Sequence, residues 1–304
     1  MDKHFLQSDA WERFNKHLGK QVFTDSGRGW SFLAILEFSP LGKYLYLPYG
    51  PYISEKNGFE GAYKALYKLA KAKKVMFIRI EPTGNVAPDT LVKYGFHKTH
   101  QVNPERTWVL DLSAPEDEIL ANMKQNNRNL YHNYLKKGLE VHRTTDANKI
   151  HYLTDLLGKV AKHNKITVHT EDYLWAQVDS GAATLYYVTL ENQVIAAALI
   201  YDSPTTRYYA HAAADYEHRK LSAGTILVAQ MIMDAKQKGL KWFDFYGVTD
   251  SDDPNHPWYG FTKFKKSFGG QAKDYLGTWE KPRKRAWYTA FKVLSRLKRH
   301  LNLH

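Results

Sequence analysis

Residues 258–270 hold the side chains of this sequence that are best suited to chemistry. They read Trp-Tyr-Gly-Phe-Thr-Lys-Phe-Lys-Lys-Ser-Phe-Gly-Gly, with three phenylalanines, three lysines and three glycines. The segment follows residues 242–248, whose aromatic pattern predicts a buried strand that ends in a glycine turn. A strand end followed by an aromatic and basic segment favours a site for an anionic or electrophilic group. Without such a site, we expect Lys265 to be a solvated strand lysine.

The sequence argues against several other kinds of active site. The chain has no cysteine, and it has fourteen histidines. No two of those histidines have the spacing of metal ligands on one helix face with a carboxylate set nearby. A GxxxxGK[ST] phosphate loop and a GxSxG nucleophile elbow are also absent. We therefore predict no metal site and no bound cofactor.

Residues 219–224, Arg-Lys-Leu-Ser-Ala-Gly, lie where a helix is predicted to begin. Acetyltransferases of the GNAT superfamily carry a Gln/Arg-x-x-Gly-x-Gly/Ala loop at this place, and its backbone N–H groups cradle the pyrophosphate of coenzyme A. Arg219 and Gly224 fit this pattern, but Ser222 replaces the first glycine. The partial match favours a GNAT-like fold and weakens the case for coenzyme A as a ligand.

The elements that would position these residues occur twice along the chain. Each half contains a predicted hairpin, helix, strand and glycine-marked junction. Residues 72–80 resemble residues 237–245, and Tyr-Gly-Phe occurs at 94–96 and 259–261. This weak repeat predicts two domains of one α/β type. Residues 115–137, which precede a glycine, are predicted to form one long helix.

The net charge of +12 is concentrated near the C-terminus. Eight lysines and arginines lie within residues 281–299, and no acidic residue follows Glu280. The apolar residues of this stretch are spaced by three or four, which predicts a basic amphipathic helix. Such a helix suits an anionic membrane surface or RNA phosphates. A terminal helix docked on the protein, with solvated lysines, would show the same pattern.

The composition indicates a globular protein of a reducing compartment. Hydrophobic residues make up 43% of the chain and aromatic residues 14%, which is enough to bury a large core. The lack of cysteine favours the cytoplasm. The N-terminus lacks the apolar run of a signal peptide, and the longest apolar run, residues 194–201, is too short to span a bilayer. We expect a cytoplasmic monomer with peripheral contact to the inner face of the plasma membrane through residues 281–304.

Six segments, in order along nearly the whole chain, match one known family. The most specific is Phe264-Lys-Lys-Ser-Phe-Gly-Gly270. The others are Phe5-Leu-Gln-Ser-Asp-Ala-Trp11, Tyr49-Gly-Pro51, Lys124-Gln-Asn-Asn-Arg128, Lys136-Lys-Gly-Leu-Glu-Val141 and Asp244-Phe-Tyr-Gly-Val248. With these segments the chain resembles the FemABX family, the non-ribosomal peptidyltransferases that add amino acids to peptidoglycan stem peptides.

The resemblance implies an α/β (α+β) fold of two tandem GNAT-like acyltransferase domains with mixed, mostly antiparallel sheets. The chain is similar to the compact FemX type, which lacks the coiled-coil arm of the larger members. We place the first domain at residues 1–110 and the second, with the acceptor and catalytic segments, at 111–275. Residues 276–304 form the basic helix, packed on the first domain or on a membrane.

The resemblance also implies an activity, the transfer of an amino acid from aminoacyl-tRNA to the stem-peptide amine of lipid II or UDP-MurNAc-pentapeptide. The aminoacyl-tRNA is a co-substrate rather than a cofactor. Acyl transfer from an ester to an amine passes through a tetrahedral oxyanion, and a cation placed at that oxygen lowers the barrier. In the family, the lysine after the phenylalanine of this basic segment is implicated in that role. It corresponds to Lys265, with Phe264 beside it.

Family positions that bind the acceptor align with three residues of this chain, and a fourth residue lies next to one of them. An arginine and a tyrosine, four residues apart, align with His169 and Tyr173, so a titratable group replaces a permanent cation. A lysine that follows the first tryptophan of the family aligns with Asn15, and Lys16 is the next residue.

Three further residues complete the predicted site. Glu81 stands where family members carry an aspartate considered as the base, and a turn role or an ion pair with Arg79 is the alternative. Tyr208 and Tyr209 fall near a tyrosine of the binding cleft, and packing within a strand is the alternative for both.

Two other functions remain open at this point. The chain could be an acyl-coenzyme A-dependent GNAT N-acyltransferase that acts on a peptide or small amine, for which Arg219 and Gly224 are the support. It could also be a non-catalytic RNA- or membrane-binding module on a transferase scaffold. The basic C-terminal segment and the departures at Asn15 and His169 support that alternative.

Overall fold

The computed structural model describes residues 3–164 and 168–300 as a mixed α/β protein. Its helices are α1 (Asp9–His17), α2 (Gly58–Ala72), α3 (Pro88–Lys93), α4 (Glu116–Asn122), α5 (Gln125–Asn133), α6 (His151–Asn164), α7 (Glu171–Asp179), α8 (Ala223–Gln237), α9 (Tyr259–Lys266) and α10 (Arg285–His300). Its strands are β1 (Val22–Gly27), β2 (Trp30–Ser39), β3 (Gly42–Leu47), β4 (Tyr52–Ile53), β5 (Phe77–Ile80), β6 (Thr83–Gly84), β7 (His97–Lys98), β8 (Arg106–Asp111), β9 (Leu139–Thr144), β10 (Thr184–Leu190), β11 (Gln193–Asp202), β12 (Thr206–Ala214), β13 (Trp242–Gly247), β14 (Gln271–Asp274) and β15 (Trp279–Pro282). Within these described residues, no helix has the length and apolar character needed to cross a bilayer.

The chain divides into two compact units. Among the described residues, the first unit comprises Leu6–Glu105 and residues 275–300, and the second comprises residues 3–5, 106–164 and 168–274. The predicted boundary at residues 110 and 111 lies close to this division. The segment from residue 276, predicted as a helix, begins instead with strand β15, and the helix α10 follows it.

The first unit is built on an eight-stranded sheet. Its strand order is β6-β4-β2-β3-β5-β15-β7, and β1 pairs with β2. The pairs β3–β5 and β4–β6 are parallel, and the remaining pairs are antiparallel. Helix α2 packs on this sheet because Phe59, Ala62, Leu66 and Ala70 recur every three or four residues and form one buried stripe.

The second unit is built on a seven-stranded sheet with the order β14-β8-β13-β12-β11-β10-β9. Only β12 and β13 are parallel, and they pair only from Thr206 opposite Trp242 to Tyr208 opposite Asp244. Beyond these residues the two strands run on without pairing, so the sheet opens between them. Crevices at the carboxyl ends of such strands are where open α/β sheets bind their ligands.

The two sheets share one supersecondary plan. Helix α2 leads to β5, which is parallel to β3, and helix α8 leads to β13, which is parallel to β12. The predicted repeat of residues 72–80 and 237–245 therefore corresponds to a real structural repeat. The two Tyr-Gly-Phe segments are not equivalent, because one ends helix α3 and the other begins helix α9. The predicted α/β fold with mixed, mostly antiparallel sheets is confirmed.

The predicted helix over residues 115–137 is wrong in one respect, because it is broken between α4 and α5. Met123 and Lys124 have extended backbone angles, with ψ near 152° and 141°. The break is stabilised by tertiary hydrogen bonds: Lys124 N donates to Ser267 O at 2.9 Å, and Asn127 Nδ2 donates to Ser267 Oγ at 2.8 Å. The broken helix thereby holds the residue that directly follows α9.

Candidate active site

Residues 259–266 form helix α9, which positions the lysine-rich segment. Phe261, Phe264 and Phe268 recur every three or four residues, which is a helical spacing and explains why the strand prediction for Lys265 is wrong. Phe268 is fully buried, and Phe264 packs on the same core. Near the other end of the helix, Thr262 Oγ1 accepts a hydrogen bond from Thr249 N at 3.0 Å. Core packing and this bond fix the helix that carries Lys265.

The side chain of Lys265 is largely buried beside the end of β13. Its Nζ donates a hydrogen bond to Gly247 O at 2.6 Å. Asp244, three residues earlier, is 1% exposed, and its Oδ1 accepts from Tyr246 N at 2.7 Å while its Oδ2 accepts from Thr107 Oγ1 at 3.3 Å. Tyr246 has a φ of +61°, a left-handed conformation that tyrosine rarely adopts. The bond from its N–H to Asp244 supports this turn.

Burial and mutual attraction set the charges of this pair. Burial lowers the pKa of Lys265 to about 8, and the negative charge of Asp244 opposes that decrease. Burial raises the pKa of Asp244 to about 6, against the bond from Tyr246 N and the positive charges of Lys273 and Lys265. At pH 7 the lysine is therefore mainly an ammonium and the aspartate mainly a carboxylate. Perturbed pairs of this kind mark functional sites more often than ordinary surfaces.

Tyr208 lies in a wall of rings on the same face of the sheet as Asp244, its register partner. The ring of His4 is 4.5 Å from that of Tyr208 and 6.0 Å from that of Tyr246. His4 is buried, and burial together with the charge of Lys273 holds its pKa well below the usual range. A neutral His4 therefore completes a wall of uncharged rings around Asp244.

Tyr209 points to the opposite face of β12. Its ring packs on Phe245 at 6.5 Å and on the hydrophobic core of the second unit. Burial raises its pKa. The packing alternative therefore describes Tyr209, whereas Tyr208 belongs with Asp244.

His169 and Tyr173 form a second aromatic group in the same unit. Their rings stack at 4.5 Å, and His169 contacts His211 edge to face at 5.1 Å. Burial lowers the pKa of His169, and burial with the charge of His169 lowers that of His211 to about 3. Both imidazoles are neutral at pH 7, so this group does not supply the permanent positive charge of an arginine.

Aromatic contacts continue from this group toward Tyr208. His211 Nε2 lies 3.1 Å from Tyr201 Oη, and the ring of Phe5 stacks on Tyr201 at 4.7 Å. Phe5 also contacts Tyr208, with 6.4 Å between ring centres. The structure therefore brings His169, Tyr173 and Tyr208 onto one contiguous wall of the second unit.

Asn15, Lys16 and Glu81 lie in the first unit, and none has an open polar group of the predicted kind. Asn15 is 2% exposed, and its Nδ2 donates to Trp11 O of its own helix at 2.8 Å. Lys16 is exposed and pairs with Glu12 at 2.7 Å.

Glu81 is a structural residue rather than a base. Its Oε2 accepts from Tyr46 Oη, Tyr49 N and Asn103 Nδ2, and its Oε1 accepts from Asn103 N and Thr278 Oγ1. Five donors saturate a carboxylate, which offers about four lone-pair positions. Arg79 pairs with Glu280 instead, at 2.5 Å. The turn role is thus the correct interpretation of Glu81.

A cavity of about 880 Å³ opens at the carboxyl end of β12, next to α9. Phe264 lines it together with Lys159, Lys162 and Arg219, and the start of helix α8 forms another side. The guanidinium of Arg219 lies 4.2 Å from the ring of Tyr216 and donates to Tyr216 O at 3.2 Å. Asp215 and Glu217 also line the cavity, and Lys159 pairs with Asp215 at 2.9 Å. The cavity is therefore bordered by one ring of α9 and by charges of both signs.

The loop that precedes α8 departs from a coenzyme A loop in sequence, because Ser222 replaces the first glycine. Ser222 occupies the left-handed region, with φ +56° and ψ +37°, and its side chain makes no capping hydrogen bond. Among the described residues, no group of three or more His, Asp or Glu side chains is arranged to hold a metal ion.

Sequence reasoning missed Asp244 and His4. Asp244 lay within a segment that resembles the family, Asp244-Phe-Tyr-Gly-Val248, and an acidic residue in the middle of a buried aromatic strand was an available signal. His4 gave no signal, because nothing in the sequence indicates that residues before Leu6 join the second unit.

Comparison with known proteins finds a family model that matches part of the chain and several solved structures with a similar fold. The model of the FemAB family matches residues 185–296. A crystal structure of FemX superimposes with a TM-score of 0.82 at 17% identity, covering 94% of each chain. The C-terminal domain of a putative lysylphosphatidylglycerol synthetase from Agrobacterium fabrum gives 0.62 at 11% identity, over 95% of this chain and 93% of that one. A tandem GNAT protein from the clavulanic acid pathway gives 0.53 at 12% identity, over 86% and 83%. No curated protein sequence matches the chain.

The fold is that of tandem GNAT-like proteins. Within that fold class, the chain resembles the FemAB family over residues 185–296 and FemX in its overall fold.

Proposed function

We propose that this protein transfers an amino acid from aminoacyl-tRNA to the stem-peptide amine of a peptidoglycan precursor, and so builds the interpeptide bridge. The match of residues 185–296 to the FemAB family and the FemX-like fold support a bridge-forming aminoacyltransferase in general terms. One observation on this chain carries the proposal. The largely buried ammonium of Lys265, on helix α9, donates a hydrogen bond to Gly247 O.

The geometry suits a tetrahedral oxyanion. The acceptor amine attacks the ester carbonyl carbon, a C–N bond forms, and the negative charge develops on the carbonyl oxygen. As the ester C–O bond breaks, the amine proton leaves and the ribose hydroxyl of the tRNA is regenerated. The bond to Gly247 occupies one of the three N–H groups of Lys265. An ammonium already fixed in a buried site stabilises such a charge without reorganisation, an effect of about 3 kcal/mol for one donor.

Aminoacyl-tRNA as the donor is supported by the surface of α9. Phe261 is 57% exposed and Trp258 is 37% exposed, although both are large and apolar. Lys263 and Lys266 are exposed on the same helix. Exposed aromatic rings among lysines are how proteins hold single-stranded nucleic acid, because each base can stack on a ring while phosphates meet cations. Phe264 also lines the cavity next to α9, where Lys162 and Arg219 supply positive charge.

The proposal is tested by a transfer assay with a panel of charged tRNAs. The protein is incubated with each tRNA and with lipid II or UDP-MurNAc-pentapeptide, and the precursor is examined by mass spectrometry. We expect one aminoacyl group to be added in an amide bond. Failure with every tRNA and both precursors would overturn the proposal.

An acyl-coenzyme A-dependent N-acyltransferase is the second candidate, because Arg219 and Gly224 keep part of the coenzyme A pattern. The replacement of the first glycine by Ser222 and the engagement of Arg219 with Tyr216 weigh against it. We propose that no coenzyme A or other cofactor takes part. Micromolar binding of acetyl-coenzyme A in a calorimetric titration would favour the second candidate instead.

A further inference from the structure

Helix α10 packs on the first unit through one side only. Tyr288 is buried, and together with Phe291 it packs on Met76, Phe77 and Tyr44. The Tyr288 hydroxyl donates to Glu280 Oε2 at 2.6 Å, and Lys292 pairs with the same carboxylate at 3.2 Å. These contacts fix the rotation of the helix about its own axis, which decides what the other side presents.

The other side of α10 is apolar and exposed. Trp287 is 53% exposed, Val293 52% and Leu297 53%, and Ala290 between them is exposed as well. At about 100° per residue, Ala290, Val293 and Leu297 stack on successive turns away from Tyr288 and Phe291. We call these four residues the outer face of α10.

The charge around this face is of one sign. Eight lysines and arginines lie within residues 281–299, and no acidic residue follows Glu280. Lys284 and Arg285, at the start of the helix, are exposed. An exposed apolar stripe with a tryptophan, accompanied by cations alone, is the arrangement of a helix that lies in the interface of an anionic bilayer. RNA phosphates would pair with the cations but would leave the valine and leucine without an apolar partner.

We propose that the outer face of α10 binds an anionic phospholipid bilayer, with Trp287, Val293 and Leu297 inserted at the headgroup boundary. The docked side of the helix anchors it to the first unit, so the whole protein is held at the membrane surface. A consequence follows that rests on the proposed function: the acceptor is the lipid-linked precursor, which is confined to that same surface.

Vesicle binding tests the proposal without any substrate. We expect the full chain to cosediment with vesicles of phosphatidylglycerol and phosphatidylcholine and to bind pure phosphatidylcholine at least tenfold more weakly. Trp287→Ser combined with Leu297→Ser should lower binding to the anionic vesicles at least tenfold, and Lys284→Gln with Arg285→Gln should lower it and reduce its salt dependence. Phe38→Ser is the matched control, because Phe38 is 69% exposed elsewhere in the same unit; its binding should be unchanged.

Insertion depth gives an independent readout. Brominated lipids should quench part of the tryptophan fluorescence of the native protein, and Trp287→Phe should abolish that quenching while the other seven tryptophans remain. Equal vesicle binding by the native protein and the Trp287/Leu297 variant would overturn the proposal. The proposal would also be overturned if this variant abolished a dimer or an RNA complex of the protein while its vesicle binding persisted.

Transfer assays separate this proposal from the proposed function. If the Trp287/Leu297 variant keeps its rate on soluble UDP-MurNAc-pentapeptide but loses most of its rate on vesicle-embedded lipid II, both proposals stand. Equal loss on the two acceptors would contradict the membrane role. If the native protein transfers no amino acid, the proposed function is overturned. The vesicle-binding result then decides the membrane proposal by itself.

Discussion

Lys265 differs from the other lysines of α9 because it is buried next to a carboxylate. Lys263 and Lys266 are exposed on the same helix. The chemistry of the segment is therefore assigned to one side chain by burial and by the nearby Asp244, rather than by the number of lysines.

Replacing Lys265 should abolish most of the turnover. Lys265→Ala removes the cation at the developing oxyanion, and we expect aminoacyl transfer to fall roughly a hundredfold or more while the fold persists. Lys241→Ala, at an exposed lysine of the same unit outside α9, is the control and should change the rate only slightly. Steady-state transfer rates together with circular dichroism check both variants. An unchanged rate in Lys265→Ala would remove this residue from the mechanism.

The pH dependence of transfer should show the ionisation of Lys265. Because its pKa is lowered to about 8, the ammonium is present below that pH and is lost as the pH rises through it. We expect the rate to decline above pH 8. Lys265→Arg keeps a permanent cation and should abolish that decline.

Asp244 provides a second check on the same ionisation. Its negative charge raises the pKa of Lys265, so Asp244→Asn should move the decline to lower pH. A purely structural role of Asp244 would lower the rate at every pH without moving the decline.

The sequence marks Lys265 and Phe264 as candidates, but it does not reveal their surroundings. The spacing of aromatic residues and lysines marks the segment, whereas Asp244 becomes part of the site only through the register of β12 and β13. Asn15 and Glu81 differ from these two residues in their surroundings. Alignment suggested polar groups facing a substrate, but the structure uses both in local hydrogen bonds.

At the scale of elements, helix α9 depends on the break between α4 and α5. The local sequence of residues 115–137 favours one continuous helix, and hydrogen bonds to Ser267 override that preference. Strands β1, β14 and β15 give no clear signal in the sequence. They are short and polar, so they lack the alternation of apolar residues that reveals a strand.

Removing the link between α5 and α9 should affect both stability and catalysis. Asn127→Ala deletes two hydrogen bonds to Ser267, and we expect a loss of about 1–2 kcal/mol in the free energy of unfolding. A smaller decrease in the transfer rate should accompany it, because the end of α9 next to Lys265 is less well held. Asn126→Ala is the control, since Asn126 is exposed on the same helix. Urea denaturation of both variants measures the difference, and equal stabilities would contradict the role of this link.

At the scale of the whole molecule, the C-terminal segment is an integral part of the first unit. Strand β15 lies between β5 and β7, and Arg283 donates to Ala70 O and Val75 O. Charge and helical spacing predicted the amphipathic helix. They could not show that Tyr288 and Phe291 are buried while Trp287 and Leu297 remain exposed.

Deleting residues 281–304 should therefore destabilise the first unit. The deletion cuts into β15 and uncovers Phe77, and we expect a loss of more than about 3 kcal/mol, comparable to the removal of a large buried aromatic side chain. Trp287→Ser with Leu297→Ser should leave stability nearly unchanged, because both side chains are exposed. Thermal denaturation distinguishes the two variants. A deletion variant as stable as the native protein would show that α10 does not contribute to the stability of the first unit.

Competition between two acyl donors tests the proposed aminoacyl transfer most directly. The protein is given lipid II together with one charged tRNA and acetyl-coenzyme A at equal concentration, and the mass of the modified lipid II is measured. We predict that its mass increases by one aminoacyl group, and that neither this product nor an acetylated one forms when Lys265 is replaced by alanine. An acetylated product, or an aminoacyl product formed equally well by the Lys265→Ala variant, would contradict the account.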